Sequence, residues 1–253
     1  MNKQKQKKSI FITGITSGIG SVIFDLCQKN EFDIAAVVRQ EDQLNELKNK
    51  NYSSLDLYQA DLSNKQDVQK LINQIKDMRF DYVLLNAGYA LMGAFHELPM
   101  ESIDKIIEAN LLSNMRLTRA FLSNMNHHQT KFIFVSSIAA RLPAHNFASY
   151  AVSKAGLSHF CNSLRREYPR LSFLCIEIGA VNTPLHNKAG NNVAQKDRFK
   201  SAQVIGQRIF KAMHTKEGVV TLSGDWWLMR KIAMCADQWL TNVMLYLTRR
   251  NKS

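Results

Sequence analysis

Short apolar segments recur along the chain and are separated by longer amphipathic segments. Each apolar segment is four to eight residues long. Runs of this length are typical of strands that are buried on both faces of a parallel sheet. We expect seven strands, at Ser9–Thr13, Ile34–Val38, Leu55–Gln59, Tyr82–Leu85, Lys131–Val135, Leu171–Ile178 and Val219–Leu222.

The segments between these strands have the apolar period of α-helices. We expect helices at about Val22–Lys29, Gln40–Asn49, Lys65–Lys76, Met100–Met125, Tyr150–Tyr168 and Ala202–His214. Strands that alternate with helices form right-handed βαβ units, and these units build a mostly parallel, doubly wound sheet with helices on both faces. Because the chain has no internal repeat and no Pro/Gly-rich linker, we expect one α/β domain over residues 9–224.

A basic tail, residues 1–8, precedes this domain, and residues 225–253 extend it. From Trp226 to Leu247, the apolar side chains fall on one half of a helix and the polar ones on the other. Such a helix usually packs on its own domain or on a partner subunit. A peripheral membrane contact is the alternative, and Trp227 and the basic chain ends favour it.

The net charge of +12 is concentrated at the two ends of the chain. Residues 1–8 carry +4 and residues 226–253 carry another +4, which leaves +4 for the 217 residues between them. A nucleic-acid-binding protein is expected to carry a basic patch across its fold together with a recognition motif. Neither feature is found, so we expect no nucleic-acid partner.

The composition also bears on the compartment and on metal binding. The sequence has no secretory signal pattern and no run of about 18 apolar residues. Its four cysteines form no C-x-x-C pair and show no metal-ligand spacing with histidine. We therefore expect a reduced, cytoplasmic protein without a metal ion, attached at most to a membrane surface.

A glycine-rich turn lies between the first strand and the first helix. Gly14, Gly18 and Gly20 allow the backbone to turn tightly and to approach a pyrophosphate. The free N–H groups and the dipole at the start of the helix would stabilise the phosphate charge. A purely structural turn is the alternative, but its position after the first strand favours phosphate binding.

Three motifs resemble those of the short-chain dehydrogenase/reductase family. They are Thr13-Gly14-x-x-x-Gly18-Ile19-Gly20, Asn86-Ala87-Gly88 and Tyr150-x-x-x-Lys154. The resemblance runs from about Ser9 to Leu222 and implies a single Rossmann-like domain with about seven strands, usually in a dimer or tetramer. Ile178-Gly179 stands where the family usually has Pro-Gly, and the glycine is kept.

The resemblance also implies a nicotinamide dinucleotide cofactor and the residues that hold it. Asp61 would contact the adenine ring, and Thr183 would reach the nicotinamide carboxamide. The expected cofactor-binding residues are Gly14, Thr16, Ser17, Gly18, Ile19, Gly20, Arg39, Asp61, Leu62, Asn86, Ala87, Gly88, Tyr150, Lys154, Gly179, Val181 and Thr183.

The end of the second strand indicates which dinucleotide binds. A free ribose 2′-hydroxyl is usually held by an acidic residue at this position, whereas a 2′-phosphate needs a cation. The chain has Val38 at the expected acidic position and Arg39 directly after it. Since a guanidinium can form paired, charged hydrogen bonds with a phosphate, we expect NADP(H). An ordinary surface arginine is the alternative.

The catalytic residues are expected at Tyr150, Lys154, Ser137 and Asn110. Tyr150 and Lys154 share one helix face, so the ammonium is expected to lower the pKa of the phenol, as a general acid/base requires. Ser137 matches the family's substrate-orienting serine, with Ser136 as the alternative. The resemblance assigns Asn110 a water that relays protons to Lys154, whereas its low helix propensity alone predicts a kink.

These observations predict an NADP(H)-dependent carbonyl reductase. The substrate would be a small ketone or secondary alcohol of apolar or mixed character, because apolar residues dominate the segments expected around the pocket (89–95, 138–147 and after Pro184). A catalytically silent protein that senses NADP(H) is the alternative. Such proteins usually lose the tyrosine or the lysine, and this chain keeps both.

Overall fold

The computed structural model describes residues 7–50, 52–123, 129–142, 145–183 and 199–222. The predicted helix over residues 226–247, most of the basic tail and the segment after Pro184 lie outside these ranges. The proposed division into residues 1–8, 9–224 and 225–253 therefore stays a prediction.

Seven parallel strands form the central sheet, as predicted. In chain order they are β1 (Ser9–Thr13), β2 (Asp33–Val38), β3 (Leu55–Gln59), β4 (Tyr82–Leu85), β5 (Lys131–Ser137), β6 (Ser172–Ile178) and β9 (Gly218–Thr221). Their order in the sheet is β3-β2-β1-β4-β5-β6-β9, so the winding reverses between β1 and β4. Two short strands, β7 (Val181–Asn182) and β8 (Lys200–Ser201), pair separately.

Helices cover both faces of this sheet. They are α1 (Gly18–Lys29), α2 (Glu41–Asn49), α3 (Lys65–Ile75), α4 (Met100–Ile107), α5 (Ser113–Ser123), α6 (Ala148–Glu167) and α7 (Ala202–Thr215). The single helix predicted over Met100–Met125 is wrong in one respect, because a π-helical segment, Glu108–Leu112, separates α4 from α5. A one-turn 3₁₀ helix, Ile138–Ala140, follows β5.

The sheet divides the core into two apolar layers. Alternate strand residues point to opposite faces, so Ile10 and Ile12 pack with α1 and α7 while Phe11 packs with α3, α5 and α6. Phe132 and Phe173 stack across β5 and β6 on the second face, with ring centroids 5.2 Å apart. Burial on both faces explains why the strands are continuously apolar in sequence.

Two boundaries differ from the sequence prediction and bear on the site. Strand β5 continues through Ser136 and Ser137, so both serines belong to the sheet. Strand β2 begins one residue earlier than predicted, at Asp33. Asp33 still lies at the opposite edge of the sheet from Arg39, because it is the first residue of the strand that Arg39 follows.

Among the helices of the described residues, none is long and apolar enough to cross a membrane. In the same part of the chain, no group of three or more His, Cys, Asp or Glu side chains is arranged to hold a metal ion.

Candidate active site

A cavity of about 480 Å³ opens at the carboxyl ends of the parallel strands. This is the edge where doubly wound sheets bind their ligands. Most of the predicted cofactor residues line it: Gly14, Thr16, Ser17, Gly18, Ile19, Gly20, Arg39, Asp61, Leu62, Asn86, Ala87, Gly88, Tyr150, Lys154 and Thr183. The fold therefore brings residues from six separate segments to one site.

Four predicted residues do not line this cavity. Val181 is 3% exposed and packs in the core beside α1 and α7. Gly179 is buried in the turn between β6 and β7. Asn110 and Ser137 lie behind the cavity wall and contact residues that form it.

The cavity also has polar lining residues that the sequence did not reveal. Gln43 and Ser63 line its adenosine side, and Lys105 of α4 lines the wall beside Tyr89, a residue that the sequence already placed at the pocket. Lys105 and Ala109 are four positions apart and share the helix face that meets the cavity. Lys105 precedes the predicted site residue Asn110 by about one and a half helical turns, and this closeness along the chain is a signal that could have suggested it.

The glycine-rich turn has the geometry that phosphate binding requires. Gly14 and Gly18 have positive φ angles of 75° and 58°, a region that favours glycine. Ser17 occupies the N-cap of α1 but makes no side-chain cap hydrogen bond, and the first turn of α1 carries no acidic residue. The first N–H groups of α1 are therefore available to an anion at the cavity.

Asn86 locks this turn against the end of β4. Its Nδ2 donates to the backbone oxygens of Thr13 (3.2 Å) and Gly14 (3.1 Å). The Thr13 hydroxyl oxygen accepts from the backbone N–H groups of Asn86 (3.1 Å) and Ala87 (3.0 Å). The two motifs are therefore in direct contact with each other, in addition to any contact with a cofactor.

The adenosine side of the cavity contains one acidic and two basic residues. Asp61 accepts hydrogen bonds from the backbone N–H (2.8 Å) and the hydroxyl (2.7 Å) of Ser63, which fix its orientation. Arg39 is exposed directly after β2, and Lys105 pairs with Glu101 at 2.7 Å. Arg39 therefore lies where a 2′-phosphate would be placed at the end of β2.

The last three residues of β5 contact α6, the helix that carries Tyr150 and Lys154. The backbone oxygen of Val135 accepts from Lys154 Nζ at 2.9 Å. The Ser136 hydroxyl donates to the Lys154 backbone oxygen at 3.0 Å and lies 2.8 Å from the Ser158 hydroxyl. The Ser137 side chain lies close enough to the Tyr150 phenol to lower the pKa of that phenol. The structure therefore places Ser137, and not Ser136, beside the phenol.

Burial sets the pKa values of Tyr150 and Lys154. It raises the pKa of Tyr150 to about 12, and the Ser137 side chain opposes this only in part. It lowers the pKa of Lys154 to about 8. The predicted fall in the tyrosine pKa is not found, because the ammonium lies 5.8 Å from the ring centroid and donates to Val135 instead.

Asn110 joins the loop after β4 to α6. Its Oδ1 accepts from the Tyr89 N–H at 2.7 Å, and its Nδ2 donates to the Tyr89 oxygen (2.8 Å) and to the Ser153 hydroxyl (3.0 Å). The residue is fully buried within the π-helical segment, in keeping with the predicted kink. Its own backbone oxygen accepts from Asn114 at 2.7 Å, and the water relay stays a prediction.

Comparison with known proteins gives the same assignment as the motifs. A family model described as short chain dehydrogenase matches residues 8–194. A solved short-chain dehydrogenase from Sphingobium yanoikuyae in complex with NADPH has a TM-score of 0.83 at 20% identity, over 93% of this chain and 95% of that one. At this level of identity the structural likeness shows the shared fold.

Two relatives are reductases. The NADPH-dependent 1-acyldihydroxyacetone phosphate reductase of Schizosaccharomyces pombe is 24% identical, over 72% of this chain and 62% of that protein. The 3-ketodihydrosphingosine reductase of Mus musculus is 29% identical, over 62% of this chain and 51% of that protein. The matched part of the chain spans less than two thirds of either relative. Because the family model matches most of the chain, the protein belongs to the short-chain dehydrogenase family.

Proposed function

We propose that the protein is an NADP(H)-dependent carbonyl reductase with Tyr150 as its general acid/base. The observation that carries the proposal is the convergence of Ser137, Tyr150 and Lys154 at the end of β5, beside the cavity. A regulatory protein that only senses the cofactor would not need these three side chains to be held together.

The residues present fit a dinucleotide with a 2′-phosphate. The open first turn of α1 can bind the pyrophosphate, and the cavity extends from this turn to both Arg39 and Thr183. Val38 has no carboxylate that would repel a 2′-phosphate, and the Arg39 guanidinium can form two charged hydrogen bonds with such a phosphate. When bound, the reduced nicotinamide supplies the hydride.

The chain's own groups handle the proton. With a pKa of about 12, the Tyr150 phenol stays protonated near neutral pH and can donate its proton to a carbonyl oxygen. Ser137 gives a second hydrogen bond to the same oxygen. The Lys154 ammonium stabilises the phenolate that remains and also binds the ribose hydroxyls. In the oxidation direction the same groups accept the proton.

The substrate side favours a ketone with an apolar chain. Gly93 N–H donates to the Asn146 oxygen at 3.1 Å, which joins the loop after β4 to the segment before α6. Phe147 of that segment packs against Tyr150 with ring centroids 5.8 Å apart, and Phe95 of the loop is 59% exposed. The two relatives are named for an acyl derivative of dihydroxyacetone phosphate and for ketodihydrosphingosine.

A binding experiment tests the cofactor. We expect NADPH to raise the melting temperature more than NADH does, and Arg39→Ala to weaken NADPH binding about tenfold or more without changing NADH binding. Arg170→Ala is the matched control, since this exposed arginine lies just before β6 at the opposite edge of the sheet. Equal loss of NADPH affinity in both variants, or tighter NADH binding, would show that Arg39 does not select the cofactor.

A substrate series tests the proposed preference for an apolar ketone. With NADPH, we expect kcat/KM for 2-decanone to exceed that for 2-butanone, because the longer ketone buries more apolar surface. Phe95→Ser should lower kcat/KM for 2-decanone and leave that for 2-butanone unchanged. A preference for the shorter ketone would count against the apolar substrate. A homodimer or homotetramer, a cytoplasmic location and a peripheral membrane contact stay predictions of the sequence.

A further inference from the structure

A buried acidic residue on β6, the strand beside β5, has no role in the proposed proton transfer. Glu177 is the second-last residue of β6 and is fully buried. Its Oε1 accepts from Arg141 Nε at 3.0 Å. In the sheet Glu177 is the register partner of Ser136, and Ile178 is the partner of Ser137. The acidic residue of the ion pair is therefore the sheet partner of the residue that directly precedes Ser137.

Arg141 ends the short turn that begins at Ser137. The Ser137 hydroxyl oxygen accepts from the Ala139 N–H at 3.1 Å. The N–H groups of Arg141 and Leu142 both donate to the Ile138 oxygen at 2.9 Å. Residues 137–142 thus form one compact unit, attached to β5 at its start and to β6 through the ion pair at its end.

We propose that the Arg141–Glu177 ion pair positions Ser137 for catalysis. This inference rests on the proposed carbonyl reduction, in which the Ser137 hydroxyl must meet both the Tyr150 phenol and the substrate oxygen. A displacement of about 1 Å in such a group can slow a reaction on the order of 100-fold. Movement at Arg141 is passed to Ser137 because the 3₁₀ turn between them is only three residues long.

The buried location supports positioning over stabilisation. Removing the Glu177 carboxylate from water costs about as much free energy as its attraction to Arg141 returns, so the pair is weak support for stability and is better explained by geometry. Arg141 is part of the protein surface, whereas Glu177 is inaccessible to water. Arg141 therefore pairs with a buried carboxylate on β6 rather than with another residue at the surface.

The double variant Arg141→Met/Glu177→Leu tests the proposal, because it removes both charges without leaving either one buried and unpaired. We expect its melting temperature to stay within a few degrees of the unaltered protein. NADPH affinity and KM for 2-decanone should stay within about twofold, while kcat falls about tenfold or more. Amide hydrogen exchange should accelerate in residues 138–142 and not in the core strands. Should the double variant fail to fold, Glu177→Gln takes its place.

Asp81→Asn is the control for loss of an ion pair in general. Asp81 pairs with Lys8 at 3.1 Å and accepts from the Ser9 N–H at 2.8 Å, at the opposite edge of the sheet. It should lower the melting temperature and leave kcat unchanged. An unchanged kcat in the double variant, or an equal loss in Asp81→Asn, overturns the proposal. If the unaltered protein does not reduce 2-decanone, the proposed function fails for this ketone. Amide hydrogen exchange in residues 138–142 of the double variant then tests whether the ion pair positions Ser137. Faster exchange in these residues supports this role, and unchanged rates overturn it.

Discussion

Lys154 carries an ammonium group at a position that is only 4% exposed. Val135 provides a backbone oxygen for it, and burial lowers its pKa from 10.5 to about 8. Below pH 8 the folded protein therefore bears the cost of a buried charge that the unfolded chain does not bear. Functional residues are often kept despite such a cost, because the chemistry requires the charge.

Replacing this charge should stabilise the protein. We expect Lys154→Met to raise the free energy of unfolding at pH 7 by about 1–3 kcal/mol, since it removes the buried charge and loses one hydrogen bond. Because the unfolded chain binds more protons between pH 8 and pH 10.5, the stability of the unaltered protein rises over this range and the advantage of the variant shrinks. Urea unfolding at pH 7 and pH 10 measures the stability of the unaltered protein and the advantage of the variant at each pH. A loss of stability at pH 7 would contradict this account.

The same pKa predicts how reduction depends on pH. We expect kcat/KM for a ketone with NADPH to be constant below about pH 8 and to fall above it, as Lys154 loses its proton. The Tyr150 phenol does not limit this range, because its pKa is about 12. In Lys154→Arg the guanidinium stays protonated, so any remaining activity should lack the fall near pH 8. A fall that persists in this variant would assign the titration to another group.

For single residues, the sequence predicted which side chains lie close together, but it did not predict their pKa values. Tyr150 and Lys154 share a helix face because they are four positions apart, and β5 delivers Ser137 to the phenol. Whether the pKa of Tyr150 rises or falls depends on the balance between burial and the Lys154 charge 5.8 Å from the ring centroid. Residue spacing carries no information about that balance.

The first βα turn packs tightly against the loop that follows β4. A Cβ at Gly20 would lie 1.8 Å from the Gly14 oxygen and 2.6 Å from Asn86 Nδ2. A Cβ at Gly14 would lie 2.8 Å from the Ala87 Cα. The turn, the start of α1 and the Asn86 loop are packed so closely that only glycine fits at both positions.

A substitution at Gly20 should therefore separate these elements. We expect Gly20→Ala to destabilise the fold by about 3 kcal/mol and to abolish measurable NADPH binding, because backbone atoms must move to admit the methyl group. Gly88→Ala is the stability control, since its Cβ would meet Asn110 Oδ1 and Lys154 Nζ at an ordinary 3.5 Å. Calorimetry and NADPH titration measure the two effects. A Gly20→Ala protein as stable as Gly88→Ala would disprove the packing argument.

The π-helical form of the break between α4 and α5 was not predicted, since the low helix propensity of Asn110 indicated only a kink. The apolar pattern from Met100 onward reads as one helix, whereas the structure contains the π-helical segment Glu108–Leu112. The cause is a tertiary contact, because the Asn110 amide pairs with both backbone groups of Tyr89. The extension of β5 to Ser137 was missed for a similar reason, since contacts with α6 satisfy the two serine hydroxyls.

In the whole molecule, the two edges of the sheet have different properties. The carboxyl edge carries the glycine turn, Arg39, Tyr150 and Lys154 around an open cavity. The amino edge carries contacts between segments that are distant in sequence, including the Lys8–Asp81 ion pair and the Tyr82 hydroxyl 3.1 Å from His214 Nδ1. The alternation of strands and helices made this division predictable, because parallel strands bring all their carboxyl ends to one edge.

The central claim is that Tyr150 transfers the proton during NADPH-dependent reduction of a ketone. The most direct test compares the unaltered protein with Tyr150→Phe, measuring NADPH affinity by fluorescence and 2-decanone reduction by the loss of NADPH absorbance. We predict NADPH affinity within about twofold and a rate at least about 100-fold lower in the variant, because the ring stays and only the proton donor is lost. Reduction at the full rate by Tyr150→Phe would contradict the claim.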